Sequence, residues 1–158
     1  MSFFKWLNYK RPSFESLLTR QFADPERLCA YVARHVRYKA DPKERDHWQT
    51  PEETWKRGLG DCEDLAVLVG HLAQARGFGV ALAAAFSAKT RTGHVYAHGV
   101  HLNRQWVYSN NEFKWTRWPT ETPFGFVRAQ TGMPAEEASV FHMPLMPETI
   151  AAMLTKAV

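Results

Sequence analysis

Residues 60–79 read GDCEDLAVLVGHLAQARGFG, and this stretch decides the architecture. Asp61 is a helix-capping residue type, and Asp64 follows three positions later, where a carboxylate meets the unpaired N–H groups of a helix start. Leu65, Leu68, Val69 and Leu72 recur at helical spacing and make one apolar stripe. Gly77 suits the left-handed position that closes a helix. The prediction is a buried helix with Cys62 in its first turn.

That placement carries chemistry. A thiol becomes a nucleophile by losing its proton, and the unpaired N–H groups at a helix start favour the thiolate. Asp61, Glu63 and Asp64 oppose this as like charges. The competing reading is a small buried thiol packed beneath Leu65. Cys29 lies beside the apolar stripe of an earlier helix, Leu28, Tyr31, Val32, His35 and Val36, and reads as core.

Working outward, Pro12 and Ser13 open a short helix, and Asp24 with Pro25 caps and starts the next. Thr50, Pro51 and Glu53 spell a capping box for a third, which Gly58 and Gly60 end. Downstream, GVALAAAFSA reads as a strand, and HVYAHGVHL with WVYSN reads as a hairpin turning at Asn103-Arg104-Gln105. From Lys114 the sequence is rich in Trp, Pro and Thr and gives no clear pattern, except a final helix expected over residues 147–156. Helices followed by an antiparallel sheet make an α+β fold.

A thiol nucleophile needs a base, and the base needs an orienting group. Of seven histidines, His35 and His71 fall on helices as surface or boundary residues, and His47 falls in a charged loop. His94 and His98 share one face of the hairpin strand, while His101 takes the other. A two-residue turn brings Ser109 and Asn111 to the face of His94, and a three-residue turn brings Asn110. All three are neutral, and an amide oxygen can still accept from an imidazole N–H. A metal site from His94, His98 and His101 is disfavoured, since strand spacing separates the first two by ~13 Å and turns the third away.

The bulk properties fit a single enzyme-sized domain over residues 1–158. The chain is 45% hydrophobic and 13% aromatic, enough for a core and against disorder. A net charge of +4 is mild, and its basic residues are scattered, so no nucleic-acid footprint is expected. Two cysteines are too few for a disulfide scaffold. No run approaches the ~18 apolar residues of a membrane span, and the N-terminus lacks a signal-peptide core. The expectation is a cytoplasmic protein that acts on a peptide or protein substrate, with no membrane or nucleic-acid partner and no cofactor.

The run YVARHVRYKADPKERDHWQTPEETWKRGLGDCEDLAVLVGHLAQARGF, followed by GHVYAHGVHLNRQWVYSNN, resembles the transglutaminase-like superfamily, especially its bacterial and archaeal cysteine peptidases. The resemblance covers roughly residues 25–113 and implies a papain-like, transglutaminase-core fold. It implies Cys62 as nucleophile and His94 as base, since Gly93 precedes that histidine and Tyr96 holds the aromatic position. His94 stands one residue further from Trp106 than the common spacing, so His98 remains an alternative. Asn110 stands four residues after Trp106, where the family has an aspartate, and would orient the ring. Trp48 and Gln49 would line the cleft or assist an oxyanion hole, with Trp48 as plain core the competing role. The implied activity is hydrolysis or acyl transfer at a peptide or amide bond. The alternative is a catalytically impaired binding module of the same fold.

Overall fold

The computed structural model describes residues 10–42, 47–134 and 138–143. The elements run α1 (Phe14–Thr19), α2 (Pro25–His35), β1 (Arg37–Tyr38), α3 (Pro51–Arg57), β2 (Leu59–Gly60), α4 (Cys62–Gln74), β3 (Ala81–Ser87), β4 (Thr92–His101), β5 (Arg104–Ser109), β6 (Glu112–Thr116), α5 (Pro123–Thr131) and β7 (Ala138–Met143). The expected α+β arrangement, helices first and then an antiparallel sheet, is what forms.

The helix starts follow the sequence chemistry. Asp24 accepts from the Arg27 N–H at 2.8 Å, with Pro25 at the first position. Thr50 and Glu53 form the reciprocal capping box, at 3.2 and 2.8 Å. Gly58 then takes a left-handed φ of 65° and ends α3. Leu59–Gly60 pairs in parallel with Arg37–Tyr38, with Lys39 N–H donating to the Gly60 carbonyl at 2.8 Å. That short pair delivers the chain to the start of α4.

The sheet is antiparallel in the order β6-β5-β4-β3-β7. One face buries Leu82, Val95, Ala97, Trp106 and Tyr108 against Leu65, Leu68, Val69 and Leu72 of α4. The other face buries Ala83, Ala85, Tyr96 and Val107 against Val127 of α5. Alternate residues of β4 therefore face different helices, as a period of two requires. Cys29 is fully buried in the α4-side core, as its stripe predicts.

Several expectations need correction. The β4–β5 turn is Leu102-Asn103, earlier than expected, and both residues adopt left-handed φ of 48° and 60°. Two-residue hairpins favour this geometry because its twist matches the strands. His35 is buried, not peripheral: its Nδ1 lies 2.7 Å from the Tyr31 carbonyl and its ring packs on Tyr31 and Trp55. The stretch from Lys114 onward holds the end of β6, then α5 and β7. The helix expected over residues 147–156 lies outside the described residues. Among the described residues no helix is long and apolar enough to cross a membrane.

Gly99 permits a close backbone approach. A Cβ there would lie 1.7 Å from the Gly79 carbonyl oxygen, which accepts from Val100 N–H at 3.1 Å. Gly99→Ala must push residues 79–80 off the strand and is expected to destabilise by about 1–3 kcal/mol. A urea midpoint equal to that of the parent would contradict this contact.

Candidate active site

Cys62 opens α4 beside a cleft of about 580 Å³ whose walls include Tyr38, Trp48, Asp61, Glu63, Gly93, His94 and Val95. Two elements meet there: the first turn of α4, and the part of β4 that outruns β5. Strand β4 pairs with β5 only from Ala97 onward, so residues 92–96 are paired in the sheet on the β3 side.

The first turn of α4 is tightly held. The Asp64 carboxylate accepts from Gln49 N–H at 2.7 Å, from Asp61 N–H at 3.3 Å, and from the Gln49 side-chain amide. Gln49 also donates to the Leu59 carbonyl at 3.4 Å. Gln49 therefore braces the turn that presents Cys62. Trp48 lines the cleft while also packing on the core, so both roles weighed for it are present.

The thiol is not in a thiolate-favouring setting at rest. It donates to Glu63 Oε2 at 3.0 Å. Burial pushes its pKa well up, and the Glu63 charge and hydrogen bond push it further, outweighing the Val95 N–H. Burial also raises Glu63 to about 9, with a hydrogen bond to Asp61 adding to the shift. Asp64 rises to about 6, again chiefly by burial. Three buried carboxyl groups thus crowd the sulfur or its turn, and the dipole of α4 does not offset them.

His94 is buried on the cleft wall, and burial lowers its pKa to about 4. At neutral pH the ring is uncharged. Its Nε2 lies 2.7 Å from Ser109 Oγ, and Ser109 Oγ donates to Gln130 Oε1 at 2.5 Å. Among the described residues Cys62 and His94 share the cleft without a direct hydrogen bond.

Asn110, expected to orient the ring, is not the residue bonded to it. With Asn111 it forms the β5–β6 turn at φ 47° and 66°, so it leaves the strand alternation. Its Oδ1 is buried with no hydrogen-bond partner among the described residues. Asn111 instead accepts from Tyr108 at 2.8 Å and donates to the Val36 carbonyl at 3.0 Å. The hairpin turn has two residues but falls at Leu102-Asn103, not at Asn103-Arg104; that shift keeps the strand parity, so Ser109 still lies on the face of His94. The Asn-Asn pair was a legible turn signal, because asparagine tolerates left-handed φ. Gln130 carried no signal, since only the packing of α5 brings it to the sheet.

His98 packs its ring near Tyr96, and His101 lies edge-on to Phe78. Among the described residues no three His, Cys, Asp or Glu side chains converge to hold a metal ion.

The profile of the transglutaminase-like superfamily matches residues 15–115, well over half of the chain. The chain belongs to that superfamily. Its fold is similar to that of Legionella pneumophila LapG in the calcium-bound form, with TM-score 0.51 and 17% identity, covering 82% of this chain and 69% of that one. The EGTA-treated form gives 0.50 and 20%, covering 69% and 63%. The chain thus spans about two thirds of the length of these structures. A search of curated proteins finds no match.

Proposed function

We propose that the protein is a cysteine-nucleophile hydrolase or acyl transferase acting on peptide or amide bonds, with Cys62 as nucleophile and His94 as base. The observation that carries this reading is their shared cleft, with one ring nitrogen of His94 held by Ser109. The thiol turns from Glu63 towards the ring and gives it the proton as sulfur attacks the carbonyl carbon. The same proton passes to the leaving amine as the C–N bond breaks. Water, deprotonated by His94, then hydrolyses the thioester; an amine in its place completes transfer.

A raised thiol pKa and a lowered histidine pKa mean that both partners rest neutral. The proton moves during attack, as in a general-base mechanism, rather than beforehand as in a thiolate–imidazolium pair. The alkylation rate of Cys62 is therefore expected to climb steadily from pH 7 to pH 10, with no plateau near neutrality. Mass-spectrometric mapping of iodoacetamide labelling across that range checks it. A plateau below pH 7 would show a preformed ion pair.

A second reading, a binding module with impaired turnover, is favoured by one contact: the resting thiol donates to Glu63 and not to His94. Labelling of Cys62 no faster than that of core-buried Cys29, with an equal rate in His94→Ala, would select it.

A further inference from the structure

Gln130 lies near the end of α5, 21 residues along the chain from Ser109, and its amide meets that residue twice. Its Nε2 donates to the Ser109 carbonyl at 3.2 Å, and its Oε1 lies 2.5 Å from Ser109 Oγ. A carbonyl oxygen cannot donate, so the first contact fixes which end of the amide faces which atom. Oε1 cannot donate either, so the Ser109 hydroxyl must direct its single proton there. Only lone pairs remain on that oxygen for His94, and Nε2 at 2.7 Å must bring a proton to bond with it. Burial keeps the His94 ring neutral, so it carries one N–H and no more.

We infer that Gln130 is a positioning residue that acts through Ser109 to select the Nε2–H tautomer of His94, leaving Nδ1 as the base for the Cys62 thiol. Gln130 matters to catalysis only if Cys62 and His94 are the reacting pair proposed above. The opposite tautomer would set the Nε2 lone pair against the Ser109 oxygen in a buried place, with no proton between them. The hydroxyl–amide chain carries no charge. It orients the ring without favouring the imidazolium, which a carboxylate in the same place would do.

Long-range 1H–15N spectra of the histidine-labelled full chain read the tautomer directly, whatever the activity. The wild type is expected to show His94 as Nε2–H with a bare Nδ1; a predominant Nδ1–H form overturns the inference. Gln130→Leu frees the Ser109 hydroxyl to donate to Nε2, so the Nδ1–H form should grow. Alkylation of Cys62 at pH 7.5 should then fall about tenfold or more, since a general base in the wrong tautomer contributes little. Gln130→Glu keeps an acceptor for the hydroxyl, so it should restore the tautomer and raise the histidine pKa. A tautomer unchanged in Gln130→Leu overturns the role of Gln130. A changed tautomer with an unchanged alkylation rate overturns the pairing of His94 with Cys62, and with it the catalytic part of the assignment. Should Gln130→Leu not fold, Ser109→Ala breaks the same chain, and a tautomer as pure as that of the wild type would overturn the inference equally.

Discussion

Cys62→Ala is expected to abolish hydrolysis and acyl transfer while leaving the fold intact. In the proposed mechanism the sulfur is the reacting atom, and no second thiol can replace it: Cys29 is buried in the α4-side core, with its pKa driven up by that burial. Loss of the nucleophile leaves only what binding and polarisation contribute, so turnover should drop by a factor of about 10³ or more. The cap of α4 does not depend on the side chain. Asp64 and Gln49 hold that turn, so the thermal midpoint should move little. His94→Ala should lower turnover less, by about 10²-fold, the scale of a general base. Cys29→Ala is the counterpart: activity retained, with about 1 kcal/mol or more of stability lost to a small cavity. An amide or peptide substrate turned over equally by wild type and Cys62→Ala would remove Cys62 from the chemistry.

Much of the architecture was legible because it rests on local chemistry. The capping signals at Asp24 and Thr50, the Leu65–Leu68–Val69–Leu72 stripe and the buried place of Cys29 all follow from residue type and spacing. Strand parity correctly put Ser109 on the face of His94, whereas Asn111 sits in the β5–β6 turn and bonds Tyr108 and Val36 on the α4 side. What escaped was set by tertiary contacts. The turn fell on Leu102-Asn103, although leucine rarely takes a left-handed φ, because strand pairing on both sides fixes the register there. His35 is internal because Arg11, from a distant segment, donates to its carbonyl at 3.2 Å while Trp55 packs against its ring. The Ser109–Gln130 link joins a strand end to a helix on the back of the sheet, and no spacing rule encodes it. The three carboxyl groups were visible at Asp61, Glu63 and Asp64, but the burial that raises Glu63 and Asp64 is not stated by a sequence.

Glu63→Gln is expected to stabilise the protein at alkaline pH and to speed alkylation of Cys62. In the folded state the Glu63 carboxyl is raised to about 9 from an ordinary 4.5, mainly by burial. Between those values the folded chain keeps a proton that the unfolded chain has released, so stability falls as pH rises through the window. The contribution is complete below the unfolded value and lost above the folded one. Glutamine preserves the geometry without the titration. Its amide N–H can still donate to Asp61, and its oxygen can still accept the Cys62 S–H. At pH 8.5 the variant should exceed the wild type by about 1–3 kcal/mol, with the difference shrinking towards pH 5. His94 shapes the acid side in the opposite sense: with its pKa lowered to about 4 from 6.5, the folded state binds fewer protons there, and stability falls as pH drops through that range. Because Glu63→Gln leaves His94 untouched, the acid limb of the stability curve should stay in place while the alkaline limb flattens. Removing the carboxylate also removes a like charge beside the forming thiolate, so the alkylation rate at pH 9 should rise about tenfold, the equivalent of one pKa unit. Urea midpoints at pH 5, 7 and 8.5 and labelling rates at pH 9 check both halves. An alkaline limb as steep as that of the wild type, with an unchanged labelling rate, would mean that Glu63 neither keeps a buried proton nor, once ionised, suppresses the Cys62 thiolate.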